Sequence, residues 1–315
     1  MAGSAVKYWL TEHPLIVSFR WSPTELWFST YSFIINAISA YIVAAITLHA
    51  ILTICGRRRP VPLGPIPAVH SLAMAFFSVL IFLGMLLSAD AEIRNTRWLW
   101  RRTRTTPLEW VLCFPLGIRP SGPVFFWSYA FYLSRFLHLF RTFFTILRHR
   151  KLSFFRLSNH SILLLTSFLW LEFSQSFQVS AILITTFVYS LVYGYRFWTE
   201  IGLPSKCFNF TVNLQMLLLG FTFVGHAGVL ALHFMRGGCN GIGAWGFNAV
   251  LNATILLMFL RFYVKAYCRR SVTVVSAYRD GRGGEKRATR SAKSSKIEFG
   301  QHNGGERKES SKSSL

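Results

Sequence analysis

Seven stretches of mostly apolar residues recur along the chain, separated by short segments with charged or turn-forming residues. Each stretch is close to the roughly 20 residues that an α-helix needs to cross a bilayer. Their predicted bounds are 29–55, 66–88, 122–147, 160–177, 178–198, 209–234 and 243–267. Because a chain in lipid must satisfy its backbone hydrogen bonds internally, the pattern predicts an all-α, polytopic membrane protein with about seven transmembrane helices.

The two ends of the chain differ in composition from this helical region. Residues 1–28 lack a short apolar core followed by a small-residue cleavage site, so we expect no signal peptide and a non-cytoplasmic N-terminal segment. Residues 269–315 are rich in Ser, Gly, Lys and Arg and have too little apolar surface to fold. We therefore expect a membrane domain at 29–268 and a disordered, basic cytoplasmic tail at 269–315.

Charge is distributed as in a membrane protein. The net charge is +22, 52% of the residues are hydrophobic, and only 12 residues are acidic. The basic residues cluster beside apolar stretches, where the positive-inside rule and anionic lipid explain them without nucleic acid. Three basic loops and the tail place the C-terminus in the cytoplasm. The basic loop at 94–104 opposes this orientation, because it would lie on the other side.

The five cysteines have no metal-binding spacing, and no helix combines His with Asp or Glu as a metal site would require. We therefore expect no bound metal or cofactor. In the predicted topology Cys113 and Cys239 share the non-cytoplasmic side, so their compartment permits a disulfide. Sequence spacing alone does not give the distance between them.

Polar side chains share faces of four predicted transmembrane helices, where burying them is costly. The sets are Arg135, His138 and Arg141; Thr185, Tyr189, Tyr193 and Arg196; Thr211, Gln215, Thr222, His226 and His233; and Asn248 and Asn252. One interpretation is that they form hydrogen bonds between helices, as in many membrane bundles. The convergence of several such faces favours a second interpretation, a polar-lined cavity for a ligand with a polar or anionic head.

Five passages resemble, in order and spacing, segments of the ELO family of membrane fatty-acid elongases. They are RRRPVPLGPIPAVHSL (57–72), the segment 113–151, SFFRLSNHS (153–161), VYGYRFW (192–198) and VNLQMLLLGF (212–221). The resemblance implies condensation of malonyl-CoA with a long-chain acyl-CoA to a 3-ketoacyl-CoA and carbon dioxide. It also implies an endoplasmic-reticulum membrane location and work beside a ketoacyl reductase, a hydroxyacyl dehydratase and an enoyl reductase.

The chain departs from the family pattern at several functional positions. Where the family has K-x-x-E-x-x-D-T, the charged positions hold Arg135, His138 and Arg141. The family's histidine box, H-x-x-H-H, is replaced here by Arg156, Asn159 and His160, so one imidazole of three remains. In the family's N-x-x-x-H-x-x-M-Y segment the Asn and His positions hold Thr185 and Tyr189, and Tyr193 and Tyr195 remain beside Arg196.

These replacements limit the possible chemistry. The candidate catalytic residues are His160, Asn159, Arg156, His138, Tyr189 and Tyr193. The amide of Asn159 has no basic lone pair, and arginine stabilises an oxyanion or phosphate but cannot act as a base. His160, aided by His138, His226 or Tyr193, is therefore the candidate base. The candidate substrate-binding residues are Arg135, Arg141, Gln215, His226, Arg196, Lys206, Lys265 and Arg269, the last four for CoA phosphates.

Three hypotheses about function follow. The first is a divergent 3-ketoacyl-CoA synthase that uses His160 and His138. The second is a catalytically inactive elongase-like protein that binds lipid and regulates elongation. A seven-helix receptor or transporter explains the number of helices, but it does not explain the ordered elongase-like passages.

Overall fold

A computed structural model describes residues 2–55, 60–96, 106–149, 152, 154–202, 208–261 and 264. Lys206, Lys265 and Arg269, the predicted tail and most of the 94–104 loop lie outside the described residues. The chain divides into two compact units, residues 1–256 and residues 257–315. All the side-chain clusters considered below belong to the first unit.

Helices account for nearly all regular structure in the described ranges, apart from one isolated β-bridge between Arg20 and Ser121. The short helices are α1 (Ala2–Lys7, continued by a π-helical turn at Tyr8–Glu12), α2 (Pro14–Val17) and α5 (Pro107–Leu112). The long helices are α3 (Tyr31–Ile54), α4 (Ile66–Thr96), α6 (Pro123–Leu147), α7 (Phe154–Glu172), α8 (Gln178–Glu200), α9 (Phe208–Arg236) and α10 (Ile242–Arg261). The predicted all-α class is confirmed.

Five of the long helices (α3, α4, α8, α9 and α10) are long and apolar enough to cross a membrane. Helices α6 and α7 are also long, but ionisable side chains interrupt their apolar sequence. Helix α6 buries Arg135 and His138 in its interior-facing surface. The structure therefore confirms a polytopic membrane fold, while the count of seven crossings stays a prediction.

Helix α7 begins six residues earlier than the apolar pattern predicted, at Phe154 instead of residue 160. Its first turns contain polar residues, which the apolar pattern assigned to the preceding loop. Because Arg156, Asn159 and His160 are all at least partly buried, these turns face the protein interior instead of water. The degenerate histidine box is therefore helical, and its side chains are fixed by the pitch of α7.

The connection between α7 and α8 also differs from the prediction. The predicted bounds, 160–177 and 178–198, leave no residues between the two helices; α8 begins at Gln178 as predicted, whereas α7 ends five residues early, at Glu172. The five connecting residues turn sharply, and two of them, Ser174 and Phe177, have positive φ angles of 43° and 77°. This turn directs the Phe177 ring into the bundle, where only 2% of the residue is exposed.

Helix α6 lies at the centre of the bundle and packs against α3, α4, α7 and α8. Gly84 of α4 allows the Trp127 ring to approach closely, because a Cβ at Gly84 would lie 2.1 Å from that ring. Phe131 of α6 stacks on Trp170 of α7 with 5.8 Å between ring centroids. The indole of Trp21 in the N-terminal segment donates a hydrogen bond to Glu172 (2.9 Å). These contacts hold α4 and α7 against α6 and attach the N-terminal segment to α7.

A disulfide closes one end of the bundle. It joins Cys113, which follows α5, to Cys239, which follows α9, and the two Cα atoms are 5.1 Å apart. Glu109 and Arg236 form an ion pair between the same two helices. Asn240 adds hydrogen bonds from its side chain to the carbonyl of Ser174 (3.0 Å) and from its backbone to that of Phe114 (2.9 Å). The disulfide end is therefore cross-linked covalently and by polar contacts.

Candidate active site and adjoining cavities

A histidine and a tyrosine meet at the centre of the bundle. The Nδ1 atom of His138, on α6, lies 2.6 Å from the hydroxyl of Tyr193, on α8. The ring of Tyr189, one turn before Tyr193, lies 4.9 Å from the imidazole. The Nε2 atom of His138 is buried and has no hydrogen-bond partner within the described part of the chain. Tyr193 therefore orients the imidazole and leaves its second nitrogen available.

Arg135 places a positive charge one helical turn from His138. Only 4% of Arg135 is exposed, and its guanidinium lies 4.0 Å from the Phe131 ring and 4.9 Å from the Tyr189 ring. It also donates a hydrogen bond to the hydroxyl of Ser134 (3.4 Å). No carboxylate forms an ion pair with it among the described residues. Because aromatic faces offset a buried charge only in part, this environment favours an anionic ligand.

His160 and Asn159 approach this centre from α7. His160 is partly buried and interacts electrostatically with Arg141, Arg135 and Arg156. It also interacts electrostatically with His138. The structure therefore brings the two imidazoles that the sequence analysis selected into one cationic environment. An imidazole is one of the side chains that can act as an acyl carrier or as a proton donor.

Four arginines line a cavity at the end of the bundle opposite the disulfide; we call it the arginine pocket. They are Arg141 and Arg148 of α6, Arg156 of α7 and Arg196 of α8. Glu200 is the acidic residue in the lining; it lies 3.7 Å from Arg148 and accepts a hydrogen bond from Ser71 (3.0 Å). With four cations against one carboxylate, the pocket has the charge and the planar donors that phosphate groups require.

Several residues of this pocket were not site candidates in the sequence, among them Arg148 and His70. Arg148 was not selected, although its spacing of seven from Arg141 places both on one face of a helix. His70 precedes Ser71 at the start of α4, and its Nε2 atom donates a hydrogen bond to the carbonyl of Leu137 (3.0 Å). No sequence spacing connects α4 to this site, so packing alone reveals His70.

A second cavity lies beside Tyr189; we call it the inner cavity. Its lining residues are Asn159, Leu163, Thr166, Trp170, Phe177, Ala181, Thr185, Tyr189, Gln215, Leu218, Leu219, Thr222, Asn252 and Ile255. Tyr189 lines it and also contacts His138, whereas Tyr193 lines the arginine pocket. The two tyrosines that contact His138 therefore line different cavities: the cationic arginine pocket and the largely apolar inner cavity.

Phe177 closes the inner cavity at the end away from His138. Its ring packs 4.9 Å from the ring of His226 on α9. Gly225 permits this position, because a Cβ there would lie 2.1 Å from the Phe177 ring. His226 accepts a hydrogen bond from Asn252 (3.3 Å). His226, a predicted substrate-binding residue, is therefore at the closed end of the cavity and not at the arginine pocket.

The remaining predicted polar positions divide between the cavity and the surrounding structure. Gln215 and Thr222 line the inner cavity, as the shared helix face indicated. His233, from the same face, accepts a hydrogen bond from the backbone N–H of Cys239 (3.0 Å). Asn248 donates to the side chain of Gln175. Some residues of the predicted polar faces therefore line a cavity and others form hydrogen bonds within the bundle, while a polar or anionic ligand in that cavity stays a prediction.

Comparison with known proteins gives a consistent result. The family model described as ELO: GNS1/SUR4 family matches residues 26–274. A "Fatty acid elongase 3-like" protein of Arabidopsis thaliana is 57% identical over 282 residues, which cover 88% of this chain and 98% of that protein. "Fatty acid elongase A" of Dictyostelium discoideum is 26% identical over 261 residues, covering 80% and 89% of the two chains. A putative fatty acid elongase of the same organism is 23% identical over 82% of each chain.

Proposed function

The chain belongs to the ELO family of fatty-acid elongases, and from this premise we propose that it catalyses the condensing step of elongation. In that step malonyl-CoA and a long-chain acyl-CoA yield a 3-ketoacyl-CoA, carbon dioxide and free CoA. The observation that supports catalysis is the buried His138–Tyr193 pair. The imidazole has an unpaired nitrogen, and the two tyrosines that contact it, Tyr193 and Tyr189, line the arginine pocket and the inner cavity respectively. If the CoA end of the thioester lies in the arginine pocket and the acyl end lies in the inner cavity, the thioester carbonyl lies at the His138–Tyr193 pair.

The arginine pocket supports the binding of CoA. The four arginines offer planar guanidinium groups to the phosphates, and each phosphate contact is a charge-assisted hydrogen bond. The acyl chain occupies the inner cavity, where Leu218, Leu219 and Ile255 exclude water from its methylene groups. This arrangement orders the substrate along the bundle axis from phosphate to methyl end.

His138 is the proposed acyl carrier. When its Nδ1–H is donated to Tyr193, the lone pair on Nε2 attacks the thioester carbonyl and the carbon–sulfur bond breaks. The Nδ1 proton, passed through the Tyr193 hydroxyl, goes to the departing CoA thiolate. The product is an acyl-imidazole and free CoA. His160 lies within electrostatic range and donates a proton to the imidazole when the acyl group leaves.

Malonyl-CoA then enters the arginine pocket and loses carbon dioxide. The remaining electron pair forms an enolate, which attacks the acyl-imidazole carbonyl and makes the new carbon–carbon bond. The imidazole departs and takes one proton, so one solvent proton is consumed in the whole reaction. Arg135, buried without a carboxylate partner among the described residues, stabilises first the malonyl carboxylate and then the enolate oxygen.

We also propose an endoplasmic-reticulum location with a cytoplasmic C-terminus. The Cys113–Cys239 bridge is typical of an oxidising compartment, which supports a lumenal position for that end of the bundle. The arginine pocket, at the opposite end, then faces the cytoplasm, in agreement with the positive-inside rule. Because a 3-ketoacyl-CoA must be reduced, dehydrated and reduced again, the partners are a ketoacyl reductase, a hydroxyacyl dehydratase and an enoyl reductase.

The test is condensation by the purified protein in liposomes. Labelled malonyl-CoA and acyl-CoAs of several lengths are supplied, and 3-ketoacyl-CoA is measured. We expect product from the wild type and a loss of at least about 100-fold in His138→Ala. The control is His49→Ala on α3, which removes an imidazole that takes no part in the His138–Tyr193 hydrogen bond and lines neither cavity. Equal turnover by His138→Ala and the wild type would remove His138 from its proposed role.

The competing function is that of an inactive, lipid-binding regulator of elongation. The observation in its favour is that Arg156 and Asn159 occupy two of the three histidine positions in the family's box. The same experiment separates the two functions. Saturable acyl-CoA binding without any 3-ketoacyl-CoA would establish the regulator and reject the enzyme.

A further inference from the structure

One threonine in the inner cavity has an unused hydroxyl. Thr166 of α7 lines the cavity, only 1% of it is exposed, and its Oγ1 atom has no hydrogen-bond partner among the described residues. Many helical hydroxyls in the bundle donate to a carbonyl three or four residues earlier. Examples are Ser161 to Leu157 (3.1 Å), Thr186 to Ile182 (2.7 Å) and Thr222 to Leu218 (2.8 Å). The hydroxyls of Thr166 and of Ser88 on α4 do not make this hydrogen bond. Thr166 therefore lacks the usual hydrogen bond within its helix, and it does so at a position that lines the inner cavity.

Further polar groups line the same cavity. Thr185 comes from α8, and Asn252 comes from α10. The amide nitrogen of Asn252 donates to His226 (3.3 Å), which leaves its oxygen available as an acceptor. Thr166 lies seven residues beyond Asn159 on α7, which corresponds to about 10 Å along the helix axis. These groups are therefore remote from the reacting carbonyl.

A plain alkyl chain cannot satisfy these groups. An unpaired hydroxyl buried against methylene groups keeps its full desolvation cost, whereas a ligand hydroxyl removes that cost. A binding site that forms hydrogen bonds with a substrate hydroxyl discriminates against the analogue that lacks this hydroxyl. On the premise of the proposed function, we propose that the inner cavity accepts acyl chains bearing a hydroxyl group on a mid-chain carbon. Thr166 is the specificity-determining residue, and a hydroxyl next to the thioester would not reach it.

Binding and turnover test this proposal separately. Matched acyl-CoAs of equal length, with and without a mid-chain hydroxyl, are titrated against the purified full chain, and their Kd values are compared. We expect the hydroxylated chain to bind roughly tenfold more tightly. In Thr166→Val this ratio falls to near one, because valine has the shape of threonine without its hydroxyl. In Thr166→Ser, which keeps a hydroxyl, the ratio is retained.

Thr186→Val is the matched control. Thr186 is as buried as Thr166, but its hydroxyl is already bonded to Ile182 and it does not line the cavity. The Kd ratio is expected to stay at the wild-type value. A wild-type ratio of one or less, or a ratio unaffected by Thr166→Val, would overturn the proposal. Hydroxyl-selective binding without 3-ketoacyl-CoA formation would reject catalysis while supporting the hydroxyl site.

Discussion

The Nδ1 atom of His138 and the hydroxyl of Tyr193 are 2.6 Å apart, and this contact joins α6 to α8 in the buried centre of the bundle. Tyr193 also lines the arginine pocket, and His138 contacts Tyr189, which lines the inner cavity. One hydrogen bond therefore connects the site proposed for CoA with the site proposed for the acyl chain. Several consequences of this arrangement can be measured.

Tyr193→Phe removes the hydroxyl that orients His138. We expect condensation at saturating substrate to fall by about 10- to 100-fold, because the imidazole loses both its fixed orientation and its proton path. Acyl-CoA affinity should change little. The control is Tyr129→Phe, which removes a hydroxyl from α6, where it donates a hydrogen bond to the carbonyl of Trp27. Equal rates in Tyr193→Phe and Tyr129→Phe would contradict the role of this contact.

Arg196→Gln tests the arginine pocket. The substitution removes one of four cations, so KM for acyl-CoA should rise roughly tenfold or more, since hydrogen bonds to charged groups are the stronger class. The effect should weaken at high salt. KM for an acyl-pantetheine thioester, which has no phosphates, should change little on this substitution.

The control for the pocket is Arg94→Gln on α4. Arg94 is exposed and pairs with Asp90 at 2.7 Å, away from the cavity lining. The KM of Arg94→Gln for acyl-CoA is expected to match that of the wild type. If Arg196→Gln weakened acyl-CoA and acyl-pantetheine equally, the pocket would not be the phosphate site.

Phe177→Ala opens the closed end of the inner cavity. The ring is the wall that an acyl chain meets, so its removal should shift the product distribution toward longer chains. The same change should lower the free energy of unfolding by about 3–5 kcal/mol, because a buried aromatic ring is lost. Product lengths are measured by mass spectrometry. Phe173→Ala, in the same turn but 47% exposed, should leave the lengths unchanged.

Glu109 gives the disulfide end a pH-dependent stability. Burial acts to raise the pKa of its carboxyl, but the backbone N–H of Thr106 and the guanidinium of Arg236 outweigh burial and lower it. A lowered pKa in the folded state means that this stabilisation is present above the ordinary carboxyl pKa and is lost as the pH falls through the folded-state value. The Tm advantage of the wild type over Glu109→Gln should therefore shrink at acidic pH. An advantage that stayed constant down to pH 3 would contradict this explanation.

Much of the fold could be predicted from hydropathy, because lipid-facing helices must be apolar over their whole length. The bounds predicted for α6 agree with the structure within one residue at each end. The start of α7 could not be found in this way, because Arg156 and Asn159 face an interior that tolerates polar groups. Apolar character marks the membrane surface of such a helix and not its functional face.

The candidate site was predictable only where residue type carried the information. His138, His160 and the arginines were selected because few side chains offer their chemistry, and the structure brings them into one region. Phenylalanine and threonine are common in membrane proteins, so Phe177 and Thr166 did not stand out in the sequence. Their importance comes from a left-handed turn and from an unpaired hydroxyl, and sequence spacing encodes neither.

The most direct test of the central claim is to detect the acyl group on His138. The purified protein is mixed with acyl-CoA alone, quenched, digested and examined by mass spectrometry, and a second sample is first chased with malonyl-CoA. We predict a mass increase of one acyl group on the peptide that contains His138, lost on the chase as 3-ketoacyl-CoA appears. An adduct on His160 alone, or turnover retained in His138→Ala, would contradict the claim that His138 carries the acyl group.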